Sequence, residues 1–239
     1  MVEGVILKTI DYQEHSKLVY LYTPSGKISA LARGVKKLNS PLRHAIQTGT
    51  LASFDLSKGS LPTIKDVQHL HHYTHVRHDL LKTTVRSVVN EIIYVTVTES
   101  DNHEKLFPFI KKFYQALDTT PYETELLMVF EMKMLAFLGY FINFNQCNQC
   151  QKTTDLWMSL PYGTVFCKHH LQESSALAEK HFTPLKYYLH VDINAFETQA
   201  LKTEQIKKLY KIIDELYETH LALKVKAKSI MNTLLEVTE

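Results

Sequence analysis

The sequence is poor in the residues and segments that mark several common classes of protein. Cysteine occurs only three times in 239 residues, which is typical of proteins from reducing compartments and unlike disulfide-stapled secreted domains. No apolar run approaches the ~18 residues that a membrane-spanning helix needs. The chain opens directly into a strand-like pattern, with no basic segment followed by an apolar one, so no secretory signal peptide is predicted. We therefore expect a cytoplasmic protein that makes no contact with a membrane.

Signatures of the common enzyme classes are also missing. The sequence contains no P-loop, no Gly-x-Gly-x-x-Gly, no Gly-x-Ser-x-Gly and no His-Glu-x-x-His motif. Only seven glycines are present, which leaves little room for a phosphate-cradling loop. No motif in the sequence indicates catalysis, and we expect a binding protein rather than an enzyme.

Acidic residues are absent from one long stretch near the N-terminus. None occurs between Glu14 and Asp55, and residues 1–80 carry ten Lys/Arg against six Asp/Glu, a net charge of +4. The remainder of the chain carries a net charge of −2. The basic residues of the acid-free stretch are Lys17, Lys27, Arg33, Lys36, Lys37 and Arg43. A solvated basic face and a surface that binds a polyanion explain this run about equally well.

All three cysteines lie in one short segment together with a pair of histidines. Cys147 and Cys150 form a Cys-x-x-Cys, sixteen residues follow, and Cys167 and His170 form a Cys-x-x-His. Two such knuckles at this separation match the spacing of structural zinc sites, in which each knuckle supplies two soft ligands from one tight turn. We therefore predict a zinc ion held by these four residues.

Other interpretations of the cysteine segment stay open at the level of sequence. His169 competes with His170 for the fourth ligand position, although the two-residue gap favours His170. The three cysteines could also be unrelated buried thiols. A catalytic zinc is disfavoured, because four protein ligands close the coordination sphere and no His-x-Glu motif supplies the acid/base residue of zinc deaminases.

The hydrophobic pattern changes its period near residue 78. Before that point the sequence predicts five short strands, with a turn signal at Pro24-Ser25-Gly26, which suggests a small closed barrel of the OB type. After it, the apolar residues recur about every 3.6 positions and predict helices. We predict an α+β protein with an OB-type barrel over residues 1–78 and a mainly helical domain over 79–239 that contains a zinc-knuckle module at about 144–172. The predicted helices cover residues 80–93, 103–117, 123–138, 204–223 and 226–237, and a β-ribbon between the knuckles is predicted at 156–159 and 163–166.

Two smaller groups of residues have no unique interpretation. Tyr20 and Tyr22 share a strand face with Leu18, so they either belong to the core or form part of a binding face. Five histidines fall within ten residues, from His69 to His78, and their role is open, with local hydrogen bonding at the domain junction favoured over a metal site.

Several segments, in the order and at the spacing in which they occur, resemble the RecO family of bacterial recombination mediators. The resemblance covers essentially the whole chain. In the N-terminal half these are Gly4 to Leu7, Lys17 to Val19, Tyr22 to Lys27 and Ala32 to Lys37 leading to Ser40. In the C-terminal half they are Phe130 to Leu135, Leu138 to Tyr140, Cys147 to Cys150, Tyr162-Gly163 before Cys167, and Tyr217 to Lys228. Ala227 departs from the family, which tends to have serine at this position.

The resemblance implies both an architecture and a function. It implies an N-terminal OB barrel, a helical C-terminal domain and, as in many members, a zinc module within that domain. It also implies a non-catalytic role in DNA repair: binding of single- and double-stranded DNA, annealing of complementary strands and, with RecR, loading of RecA onto strands coated with single-strand binding protein. Some members bind the C-terminal tail of that protein. A nucleoid-associated cytoplasmic location follows from these partners.

Within that interpretation the acid-free stretch is the expected DNA-binding surface. Lys36 and Lys37, on the loop after Arg33, are the strongest candidates for phosphate contacts. The principal alternative is a zinc-ribbon interaction module or transcription-type DNA binder without mediator activity, which would bind duplex DNA sequence-specifically.

Overall fold

The computed structural model describes residues 1–70 and 73–237. Packing divides the chain into two units. The first, the barrel unit, joins Met1–Thr119 to Lys226–Leu234. The second, the helical unit, consists mainly of Thr120–Val225. The two units are defined by contacts between residues. The domain boundary near residue 78, which was drawn from the hydrophobic pattern, stays a prediction.

The barrel unit begins with a five-stranded antiparallel sheet, as predicted. Its strands are β1 (Val2–Tyr12), β2 (Ser16–Thr23), β3 (Gly26–Ala32), β4 (Leu51–Leu56) and β5 (Ile64–His69). Their order in the sheet is β3-β2-β1-β4-β5. The two edges of the sheet meet, since Leu31 forms a parallel bridge with Thr63 and its N–H donates to the Pro62 carbonyl at 2.8 Å. This arrangement is consistent with an OB-type barrel.

Alternation along the strands places one set of apolar side chains inside the barrel. Val19 and Leu21 of β2 point inward, and they pack with Ile6, Phe54 and Ile64 from three other strands. These side chains are fully buried or nearly so. The predicted turn between β2 and β3 is confirmed, because Thr23 pairs with Gly26 across it. Gly26 has a φ of +107°, a conformation that side-chain-bearing residues rarely adopt.

Helices complete the barrel unit. They are α1 (Thr74–His78), α2 (Leu80–Thr96), α3 (His103–Thr119) and, from the C-terminus, α7 (Lys228–Val237) as far as Leu234. Asp79 caps α2 by accepting a hydrogen bond from the Lys82 N–H at 2.9 Å. The Glu91 carboxylate accepts from the N–H groups of Lys226 and Ala227 at 2.9 and 2.8 Å, which ties the C-terminal segment to α2. Of the histidines between 69 and 78, His71 and His72 lie outside the described residues.

The helical unit contains α4 (Glu123–Phe137), α5 (Glu179–His190) and α6 (Thr203–Leu221). A three-stranded sheet of order β7-β6-β8 lies between α4 and α5 in the chain. Its strands are β6 (Leu156–Ser159), β7 (Thr164–Cys167) and β8 (Leu177–Ala178). The buried Glu125 carboxylate accepts a hydrogen bond from the Tyr188 hydroxyl at 2.7 Å, and another from the hydroxyl of Thr198. These bonds satisfy a carboxylate that is 3% exposed.

Most of the predicted elements occur within one to three residues of their predicted bounds. Four elements of the described residues were missed: helix α1, the short strand β8, helix α5, which contains Pro184 in its interior, and a 3-10 helix at Ile193–Ala195. None of the helices formed by the described residues is long and apolar enough to cross a membrane.

Candidate metal centre and nucleic-acid interface

Two tight turns present the four predicted zinc ligands. In the first, the Gln151 N–H donates to the Cys147 carbonyl at 3.0 Å and the Cys147 N–H donates to the Lys152 carbonyl at 2.8 Å. In the second, the N–H groups of His170 and Leu171 both donate to the Cys167 carbonyl. Each turn folds the chain back within three residues, so both of its ligands face the same point.

The two turns are brought together by the β6–β7 ribbon. Cys167 is the last residue of β7 and pairs with Leu156 at the start of β6. The Asn148 N–H donates to the Val165 carbonyl of the same strand at 2.9 Å. A backbone bond therefore holds the first turn beside the strand that ends in the second.

The ligand atoms of Cys147, Cys150, Cys167 and His170 all lie within 4.8 Å of one another. The Sγ atoms of Cys150 and Cys167 are 3.7 Å apart, and His170 Nδ1 lies 3.6 and 3.4 Å from the Sγ atoms of Cys147 and Cys167. With Zn–S of ~2.3 Å and Zn–N of ~2.1 Å, the edges of a zinc tetrahedron are about 3.6–3.8 Å long. The four residues therefore fit a tetrahedral metal ion, and the histidine atom directed at the site is Nδ1. His169 is exposed and does not belong to this group.

The protein backbone favours the thiolate form of one ligand. Burial alone would raise the pKa of the Cys147 thiol, but hydrogen bonds from the backbone at Cys150, Cys167 and Gln149 outweigh it and lower the pKa to about 5. The lowered pKa favours the deprotonated form of Cys147, which is the form that a metal binds.

A close contact anchors the turn between β6 and β7. The Tyr140 and His220 rings stack with their centroids 4.3 Å apart, and His220 Nε2 lies 2.8 Å from the Leu160 carbonyl. Gly163 has a φ of +57°, and a Cβ at this position would overlap the Tyr140 hydroxyl. The sequence pattern did not predict this contact, although Tyr140 and Gly163 both lie in segments that resemble the RecO family.

Four of the six predicted basic residues lie at one end of the barrel, which we call the basic end: Lys17, Arg33, Lys36 and Lys37. Lys17 lies at the start of β2 and pairs with Ala32, the last residue of β3. The loop that follows β3 is fixed to the β1–β2 turn, since the Lys36 N–H donates to the His15 carbonyl at 3.0 Å. Arg33, Lys36 and Lys37 are exposed, and Lys17 is half-buried.

One of these lysines has an acidic neighbour on the surface. The Lys36 ammonium lies 2.7 Å from an Asp11 carboxylate oxygen. The hydrogen bond and the charge of Lys36 lower the pKa of the Asp11 carboxyl. Exposed pairs of this kind contribute little stability, so the Lys36 ammonium can exchange Asp11 for another anion at small cost.

Lys27 lies apart from the basic end. It pairs with Tyr22 near the β2–β3 turn, at the opposite end of β2 from Lys17. Its ammonium donates to the Tyr94 carbonyl at 2.7 Å, in the last turn of α2, where a cation is favourable. Burial lowers the pKa of the Lys27 ammonium, and the charge of Asp101 opposes that shift. Arg43 is exposed on the loop between β3 and β4.

Comparison with known proteins gives matches along nearly the whole chain. The family described as "Recombination protein O N terminal" matches residues 1–73, and "Recombination protein O C terminal" matches residues 77–229. Curated relatives include the "DNA repair protein RecO" of Streptococcus pyogenes serotype M49 (strain NZ131) and of serotype M1. Each is 25% identical over 242 residues, covering 98% of this chain and 95% of the relative.

Proposed function

The chain belongs to the recombination protein O (RecO) family, and on that premise we propose that it is a non-catalytic mediator of recombinational DNA repair. Membership of the family supports a role in DNA repair and recombination. We propose further that the chain binds single- and double-stranded DNA and anneals complementary strands. With RecR, it would help to load RecA onto strands coated with single-strand binding protein, whose C-terminal tail it would contact.

The observation that carries this proposal is the convergence of cations at the basic end. Lys17, Arg33 and Lys36 come from separate positions in the sequence, yet strand register and the loop bond to His15 bring them to one end of the barrel. Cations clustered on a rigid scaffold bind phosphates and release the counterions that surround nucleic acid. They would also reduce the repulsion between two strands that are being paired.

The metal centre has a structural role in this proposal. Cys147, Cys150, Cys167 and His170 would hold a zinc ion in a closed tetrahedral site, where the ion crosslinks the two turns and supplies no chemistry to a substrate. All four ligands belong to the helical unit, whereas the residues of the basic end belong to the barrel unit. The proposal therefore assigns stability to one site and nucleic-acid binding to the other.

The salt dependence of binding tests the role of the basic end. For a single-stranded oligonucleotide, log affinity falls with log salt concentration by about 0.7 for each phosphate contact. We expect the double variant Lys36→Ala/Lys37→Ala to reduce this slope by about 1.4, and to weaken binding at low salt. The measurement is a fluorescence-anisotropy titration at several salt concentrations.

A matched control removes two positive charges elsewhere. Lys208 and Lys211 are exposed on α6, in the helical unit. The variant Lys208→Ala/Lys211→Ala changes the net charge by the same amount and should leave the slope unchanged. An equal change of slope in both variants, or in neither, would refute the assignment of phosphate contacts to the loop after β3.

A further inference from the structure

The outer face of β1 and β2 is made of residues that alternate with the barrel core. Lys8 pairs with Tyr20 and Ile10 pairs with Leu18, so these side chains share the outer face. The inward-pointing neighbours on β2 are Val19 and Leu21, which belong to the core. The outer face therefore runs from Tyr22 at one end of the sheet to Tyr12 at the other.

Helices cover one half of this outer face. Tyr22 is fully buried, with its ring 5.8 Å from that of Phe107 on α3. The Tyr20 ring lies edge-on to Tyr94 of α2 at 5.2 Å, and the Lys8 ammonium lies 4.8 Å from the centre of the same ring. These tyrosines therefore pack against helices of the same unit rather than forming a free binding face.

The other half of the face, which we call the bare half, is partly exposed among the described residues. Ile10 is 41% exposed and Tyr12 is 40% exposed. Leu18, which pairs with Ile10, is only half-buried. A large aliphatic and an aromatic side chain thus present a contiguous apolar surface on a rigid antiparallel pair of strands.

The bare half lies at the basic end of the barrel. Tyr12 follows directly after Asp11, the partner of Lys36, and pairs with Ser16, whose hydroxyl accepts a hydrogen bond from the Gly34 N–H. The loop that carries Lys36 and Lys37 therefore adjoins the strand end that carries Tyr12. The same loop exposes Leu38 to 84%.

An apolar surface bordered by cations is complementary to a single nucleic-acid strand. Lysine and arginine pair with the phosphates of either a single strand or a duplex, but only a single strand offers unstacked bases to an aromatic ring. We propose that Ile10, Tyr12 and Leu18 form a base-contacting subsite, so that the protein binds a single strand more tightly than a duplex of the same length. This inference rests on the proposed function. It assigns phosphate binding to the loop that carries Lys36 and Lys37, and base binding to the bare half.

The subsite is tested by variants that remove the apolar contact and keep the strand. Tyr12→Thr and Ile10→Thr retain β-forming residues, and Tyr12→Phe retains the ring. Binding of oligothymidylate, which forms no duplex, and of a duplex of the same length is measured over a range of salt concentrations. Tyr122, 46% exposed at the start of α4, provides the control Tyr122→Thr.

We expect Tyr12→Thr to weaken binding of oligothymidylate about tenfold at every salt concentration, with the slope and the duplex affinity unchanged. Ile10→Thr should act in the same direction, whereas Tyr12→Phe and Tyr122→Thr should have no effect. An unchanged single-strand affinity, or an equal loss for duplex, would overturn the inference. A change in self-association on sedimentation without a loss of single-strand affinity would also overturn it, by assigning the bare half to contacts between copies of the chain.

The two proposals fail separately in this experiment. The salt slope of Lys36→Ala/Lys37→Ala reports on phosphate contacts and therefore on the proposed function. The salt-independent part of the affinity of Tyr12→Thr reports on base contacts and therefore on the subsite.

Discussion

At the scale of single residues, Gly163 shows how closely two rings hold the tip of the metal-site ribbon. It lies beneath the stacked rings of Tyr140 and His220, in a left-handed backbone conformation. Any side chain at this position meets both a backbone penalty and a steric clash. The bond between His220 and the Leu160 carbonyl depends on the same approach.

We predict that Gly163→Ala lowers the free energy of unfolding by about 2–4 kcal/mol, of which about 1–2 comes from the left-handed conformation and the rest from the clash. Gly139 is the matched control, because its φ of +85° is also positive but nothing lies within 4 Å of a Cβ there. Chemical denaturation of both variants separates the two causes. Equal losses for Gly139→Ala and Gly163→Ala would show that the contact with Tyr140 contributes nothing.

The residue scale also shows the limit of reasoning from charge alone. The sequence places Lys27 and Lys36 in the same acid-free stretch and gives no reason to separate them. In the folded chain, Lys27 donates to a helix carbonyl, whereas Lys36 lies on the loop at the basic end. That difference depends on contacts 67 residues apart in the chain, which no local pattern encodes.

At the scale of elements, two tight turns and the β6–β7 ribbon hold the four candidate metal ligands. The four ligands could be predicted from the sequence, because structural zinc sites have a characteristic separation between the two ligands of each turn. The sequence favoured His170 over His169 but left both open, because the choice depends on the direction in which the turn after β7 presents each ring. The structure brings His170 Nδ1 to the cysteines.

We predict that Cys147→Ser lowers the bound zinc content and the melting temperature of the protein, because a thiolate ligand is lost from a buried position. Single-strand affinity at moderate temperature should be unchanged, since the residues proposed to bind phosphates belong to the barrel unit. Metal analysis, thermal unfolding and an oligonucleotide titration provide the three readouts. Unaltered melting after complete removal of metal would contradict a structural role.

The elements with a clean hydrophobic period were predictable from the sequence, and so was α4, which is apolar on all sides. The alternation in β2 and the helical stripe in α2 follow directly from one buried face. Helix α5 was missed although Phe182, Leu185 and Leu189 are buried at helical spacing, because it is short and has Pro184 in its interior. Strand β8 has two residues, too few for any period.

At the scale of the whole molecule, the sequence predicted a barrel followed by helices, and both are present. The resemblance to the RecO family is confirmed by family matches over residues 1–73 and 77–229. The path of the C-terminus was not predictable, because Lys226–Leu234 returns to the barrel unit through the hydrogen bonds to Glu91. Such a long-range return leaves no periodic trace in the sequence.

The central claim is that the chain is a mediator that pairs strands through the basic end. It is tested most directly by annealing of complementary strands that are coated with single-strand binding protein, with the wild-type protein and with Lys36→Ala/Lys37→Ala. We predict that the wild-type protein accelerates annealing, that the double variant largely loses this activity, and that Lys208→Ala/Lys211→Ala retains it. Absence of any acceleration by the wild-type protein, or full activity of the variant that lacks Lys36 and Lys37, would contradict the claim.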